Sequence, residues 1–123
     1  THWPGKIVFA GREIGHTIFV GDRLKDTPID NPVRRAYQLH RERAKVEHWN
    51  HHTADPTAVL LAGRGILNYW NLSECGYIDI KNNCSFVWKD HSEGNQRYIK
   101  QKMDRGRLGR ILEDLMVIPP DKH

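Results

Sequence analysis

Thr53-Ala54-Asp55-Pro56-Thr57-Ala58-Val59-Leu60-Leu61-Ala62 decides how the rest of the chain is read, because it opens a helix on a carboxylate. Asp directly before Pro is a helix-start signal: the Asp side chain can accept the free N–H groups of the first turn, and Pro at the first helical position gives up no hydrogen bond. The residues that follow are apolar on every side, which predicts a buried helix running to about Leu67, with Gly63 and Gly65 loosening its end. A carboxylate at such a helix start has two uses. It can cap its own helix, or it can face outward as an oxygen ligand for a hard cation.

Immediately upstream lies Glu47-His48-Trp49-Asn50-His51-His52. With Asp55 it gathers three imidazoles and one carboxylate, a set that can in principle bind zinc. The spacing matches no standard zinc signature, so these side chains are expected to line or rim a cleft, or to pack. Downstream of Asn68-Tyr69-Trp70-Asn71 the period changes from helix to strand. Leu72 to Ile80, Cys84 to Lys89 and Gln96 to Lys100 read as three strands, turned at Asn82-Asn83 and near Gly94-Asn95. Tyr77, Ile78, Ile80, Phe86 and Trp88 would form the apolar face of this small sheet. Trp70 and Trp88 would pack in a core or stack a planar ligand. Asp104 then caps a last helix with a one-sided stripe of Leu108, Ile111, Leu112, Leu115 and Met116, stopped by Pro119-Pro120.

Toward the N-terminus, Lys6-Ile7-Val8-Phe9-Ala10 reads as a buried central strand, and ligands of open α/β sheets bind at such a strand's C-terminal end. Gly11-Arg12-Glu13-Ile14-Gly15-His16 follows there, so Glu13 and His16 are site candidates, a surface turn being the alternative. Thr17-Ile18-Phe19-Val20 is a strand or a helix start, and Asp22 to Ile29 a polar linker. Asn31-Pro32 opens a second helix with Val33, Ala36, Tyr37, His40 and Ala44 on one face and Arg34, Arg35, Arg41, Glu42 and Lys45 on a solvated opposite face.

The 123 residues, 38% of them hydrophobic, suffice for one modest core or for part of a larger one. A net charge of +4 is too small to indicate nucleic acid as a partner, and the basic helix face lacks an aromatic platform. No apolar run reaches the roughly 18 residues of a membrane span. The opening Thr1-His2-Trp3-Pro4 carries no initiator Met, so further chain upstream is expected, and the compartment is left open. Cys75 and Cys84 would sit many residues apart along the hairpin ladder, which predicts free thiols.

Three stretches give the chain a family likeness: Ile7-Val8-Phe9-Ala10-Gly11-Arg12-Glu13-Ile14-Gly15, Asn31-Pro32-Val33-Arg34-Arg35-Ala36-Tyr37 and Asp55-Pro56-Thr57-Ala58-Val59. With Gly94-Asn95-Gln96-Arg97-Tyr98 and the last helix, residues 1–123 resemble the C-terminal segment of a nucleoside hydrolase of the inosine-uridine-preferring type. The resemblance implies the C-terminal portion of an open, mostly parallel α/β sheet, with a small antiparallel hairpin sheet and a C-terminal helix. It implies calcium-dependent hydrolysis of the N-glycosidic bond of ribonucleosides. Asp55 would supply one calcium oxygen, with His51, His52 or His16 as substitutes for the acid that protonates the departing base, and Glu13, His51 and Trp70 in the substrate pocket.

Two departures from the family pattern stand out. Many members carry His directly before the metal-binding Asp, where this chain has Ala54, and the N-terminal aspartate-rich metal motif is absent from the 123 residues. The chain is therefore expected to be inactive alone. Apolar surface around Ile7, Phe9, Val59 and Leu61 would be met by the missing N-terminal segment or by another copy in a homo-oligomer. The alternative is a non-catalytic nucleoside-binding or interaction module on the same scaffold.

Overall fold

A computed structural model describes residues 4–119. Seven strands and four α-helices follow in the order β1 (Ile7–Phe9), α1 (Arg12–Gly15), β2 (Phe19–Val20), α2 (Pro32–Ala44), β3 (His51–His52), α3 (Ala54–Arg64), β4 (Trp70–Leu72), β5 (Gly76–Ile80), β6 (Phe86–Asp90), β7 (Gln96–Gln101) and α4 (Arg105–Val117). The architecture is mixed α/β. A five-stranded sheet runs β1-β7-β5-β6 with β4 also on β7, and a separate antiparallel pair joins β2 to β3.

The sheet is mostly antiparallel, which corrects the mostly parallel expectation: β1 on β7 is its one parallel pairing among the described residues. The reason lies in the connections. The run from Trp70 to Gln101 carries strands joined by short turns, which yield antiparallel neighbours, whereas only the long path from β1 to β7 can yield a parallel one. Nor is β1 central. It is an edge strand of three residues, with Val8 exposed and Ile7 and Phe9 half-buried.

The hairpin forms as its turn chemistry dictates. Lys81 and Ser85 close it, Cys84 takes a left-handed φ of 62°, and Asn83 Oδ1 accepts the Ser85 N–H at 3.1 Å. Gly76 falls opposite Asp90, and both cysteines are free thiols. The predicted long strand from Leu72 is broken at Ser73, whose hydroxyl accepts the Tyr98 N–H at 3.0 Å and leaves β4 and β5 as separate partners of β7.

One core holds the elements together. Ile99 and Trp70 from the sheet meet Ile14, Ile18 and Val20, Leu60 of α3, and Leu108 and Leu112 of α4. Asp104 caps α4 by accepting the Arg107 N–H, as its position predicts, and the apolar stripe faces the core at Leu108 and Leu112, with Leu115 left exposed. Pro119 follows the helix; Pro120 and the opening Thr1 to Trp3 lie outside the described residues.

Three local expectations change. Helix α3 is not buried all round: Thr57 and Leu60 face inward while Val59 is 69% exposed and Leu61 half-buried. The supposed linker after Gly21 is a 3₁₀ helix, Asp22–Asp26, pinned by a fully buried Leu24. Helix α2 is capped by Asn31, which accepts from Val33 and Arg34 as expected, but it buries no residue. Ala36, His40 and Ala44 are exposed instead. Arg34 folds back to donate to the Thr27 carbonyl, and Arg41 donates to the Glu47 carbonyl while stacking over Trp49 at 4.6 Å. Two arginines of the supposed solvated face thus tie α2 to its flanking loops.

A candidate cleft at the start of helix α3

The entry to α3 is fastened to α1 by backbone. Thr53 is fully buried; its N–H donates to the carbonyls of Gly15 and Ile18, both at 3.1 Å, and its hydroxyl donates to Ile18 at 3.3 Å. Gly15 lies directly against Ala54, so close that a Cβ on Gly15 would stand 2.4 Å from the Ala54 Cα. The helix therefore begins at Ala54, with Thr53 in the cap position and without a side-chain cap hydrogen bond. Asp55 is its second residue and Pro56 its third, a shift from the Asp-cap, Pro-first reading. The Asp55 side chain is exposed and bonds to no described residue.

Imidazoles gather next to that carboxylate. Strand β3 pairs with β2 so that Val20 lies opposite His51 and Phe19 opposite His52. From there a ladder of rings runs outward: His16 stacks on His52 at 4.3 Å, His52 meets His51 tilted at 4.2 Å, and His51 meets His40 of α2 at 4.5 Å. Arg12 Nε donates to His16 Nε2 at 2.6 Å, the i,i+4 spacing of a single helical turn, which requires an unprotonated nitrogen there. Partial burial, then the Arg12 cation and His52, hold the His16 imidazole below its usual range. Partial burial, then His52, His40 and His48, do the same for His51. Both shifts favour the neutral rings; His16, whose Nε2 accepts from Arg12, keeps its other nitrogen as a donor, and His51 offers a donor and an acceptor.

Asp55 stands where three hollows meet. One of about 320 Å³ lies between α2 and the α3 start, against Tyr37, His40, His51 and His52. A second, of about 510 Å³, is bounded by Val8, Arg12, His16, His52 and Ala58. A third is an apolar groove of about 620 Å³ between α2, α3 and α4. Tyr37 borders two of them; burial, and then the Glu113 carboxylate, push its phenol pKa up, so it is a hydrogen-bond donor throughout the neutral range.

Of the residues singled out from sequence, His16, His51, His52 and Asp55 come together here. Glu13 does not join them: it lies on the far side of α1, against Gly11, in a hollow with Phe9, Trp88 and Tyr98. Trp70 takes the core reading and not the substrate-pocket one: it is 1% exposed and lines none of the Asp55 hollows. Arg12, Tyr37 and His40 were not anticipated in the cleft. Arg12 and His16 stand four apart in sequence, which could have flagged that pair; His40 was assigned to the packed face of α2.

The donors present do not make a calcium site. Calcium takes about 6–8 oxygens, and among the described residues no group of three or more His, Cys, Asp or Glu side chains converges to hold a metal. Asp55 is one carboxylate beside nitrogen ligands. The same absence of convergence applies to zinc, since the ladder stacks its rings instead of aiming their nitrogens at one point. Among the described residues no helix is long and apolar enough to cross a membrane.

Compared with protein-family models, with curated proteins and with solved structures, the chain finds no match.

Proposed function

We propose that the chain forms the C-terminal part of a nucleoside-hydrolase-like protein that cleaves the N-glycosidic bond of ribonucleosides, and that it has no hydrolase activity alone. The observation that carries this reading is Asp55: a carboxylate set on the first turn of α3, engaged by no described residue, at the junction of three hollows. On this reading Asp55 contributes one oxygen to calcium, and the remaining oxygens come from a segment outside these residues. The exposed edge of β1 supports the same reading, because parallel strands are ordinarily covered by neighbours. His16 and His52, neighbours of Asp55 in the second hollow, would contact the base through their rings, and a protein continuing the β1 edge would extend the sheet on the side of its parallel pairing.

The reading is tested by expressing the coding sequence extended upstream of Thr1 and assaying release of base from inosine and uridine with calcium present. Activity that is abolished by Asp55→Ala is expected. An extended protein that lacks an aspartate-rich segment, or that keeps full activity without the Asp55 carboxylate, would overturn it. A second reading, a nucleoside-binding module without chemistry, is favoured by Ala54, which places a methyl group at the cleft where a proton donor would stand. It predicts saturable nucleoside binding with no base released.

A further inference from the structure

The sheet has a second face, separated from the Asp55 hollows by Phe9, Ala10 and Arg12. In β7 Ile99 points into the core, so Tyr98 points the other way, and Phe9 lies beside it in the β1 register. Trp88 meets Tyr98 edge to face, with ring centroids 5.0 Å apart and planes at 85°. Ile78 pairs with Trp88, and Phe86 is 71% exposed at the outer end. These side chains line an open hollow of about 400 Å³ bordered on one side by the start of α1. No described helix covers it.

This hollow is not uniformly apolar. The Glu13 carboxylate folds back over the Gly11 backbone, where a Cβ would come within 2.0 Å of Oε1, and it forms a wall of the hollow. It has no hydrogen-bond or ion-pair partner among the described residues. Of the described residues that line the hollow Arg12 is the one cation, and its Nε is turned to His16. Tyr98 already carries a cation against its ring, Lys100 Nζ at 5.6 Å from the centroid. The Trp88 and Tyr98 rings, set at 85° to each other, together with Phe86 and an unpaired carboxylate attract a cation, and they favour one with methyl groups. An unmodified ammonium has three N–H donors to satisfy and finds one carboxylate, whereas a methylated ammonium has few or none and buries its methyl surface on the rings.

We propose that this hollow binds a quaternary or methylated ammonium group, held by cation–π contact with Trp88, Tyr98 and Phe86 and by the Glu13 charge. Glu13, Phe86, Trp88 and Tyr98 line none of the hollows at Asp55, while Phe9, Ala10 and Arg12 border both sides, and the proposal is tested separately from the nucleoside reading.

The test uses choline chloride titrated into the 123-residue chain, followed by NMR at the Trp88 indole N–H, which donates to Asp90 Oδ1 at 2.8 Å. Saturable shifts at Trp88 and Tyr98 are expected, with affinity about tenfold or more above that of the neutral isostere in which carbon replaces the nitrogen. Glu13→Gln should lower choline affinity several-fold on an intact fold, because Glu13 is exposed. Gly11→Ala, which keeps the charge and displaces the carboxylate, should do the same. Equal binding of the neutral isostere would reduce the hollow to an apolar groove. That result, the absence of saturable shifts, or undiminished affinity in either variant would overturn the proposal.

Discussion

The contact that orients α3 can be probed by one substitution made at two glycines. At Gly15 an added Cβ would stand 2.4 Å from the Ala54 Cα and 2.8 Å from its N, about 1 Å short of the 3.4 Å at which ordinary contact begins. Both obstacles are backbone, so no rotamer change relieves them, and the start of α3 must retreat with its Thr53 hydrogen bonds. Overpacking of this kind costs about 1–3 kcal/mol. Gly63 sits inside the same helix with nothing within 4 Å of its Cβ position, so alanine there should stabilise the protein by about 0.5–1 kcal/mol through reduced backbone entropy. Urea denaturation followed by far-UV circular dichroism reads both. Gly15→Ala should lower the midpoint and Gly63→Ala raise it. Equal stability of Gly15→Ala and wild type would refute the close α1–α3 approach, and with it the placement of Asp55.

Leu108 is fully buried between α4 and the core, so Leu108→Ala should cost about 2–5 kcal/mol in the same assay. Glu113 accepts the Gly21 N–H at 2.8 Å and the Arg23 N–H at 3.1 Å, joining α4 to the 3₁₀ helix; Glu113→Ala should destabilise by about 1–3 kcal/mol, with proteolysis first appearing between residues 21 and 27. His16 and His51 favour their neutral forms when folded, so the unfolded chain binds more protons below its own pKa near 6.5. Stability is therefore whole above that value and declines as pH falls through the lowered folded values. Urea midpoints should drop as the pH is lowered below about 6.5, and the double variant His16→Asn, His51→Asn should flatten the drop. Asp79, held down by its bond to Lys89, acts only at pH values below its ordinary 3.8 and stays out of that window.

Where a local signal had a single structural solution, the chain was legible. Asn31-Pro32 and Asp104 cap helices as written, Asn82-Asn83 lies in the hairpin turn, and the stripe beginning Leu108 faces the core. Signals that depend on neighbours were not. Lys6 to Ala10 has the composition of a central strand, yet position in a sheet is set by pairing, and here one side has no partner among the described residues. Asp55-Pro56 has the chemistry of a helix start, but the Thr53 bonds to Gly15 and Ile18 pull the start two residues earlier, a long-range tie that no local pattern reveals. The same tie frees Asp55 from capping. The imidazole ladder needs α1, α2 and β3 together, so the His51-His52 pair showed only its centre. Arg34 and Arg41 sat on a face that looked solvated because the loops they hold are distant in the helical wheel.

Everything proposed about catalysis passes through the Asp55 carboxylate. Calorimetric titration of calcium into the protein extended upstream of Thr1, with Asp55 intact and with Asp55→Ala, measures that role directly. The account predicts binding that weakens at least about tenfold on losing this ligand. Calcium affinity unchanged in Asp55→Ala would contradict it.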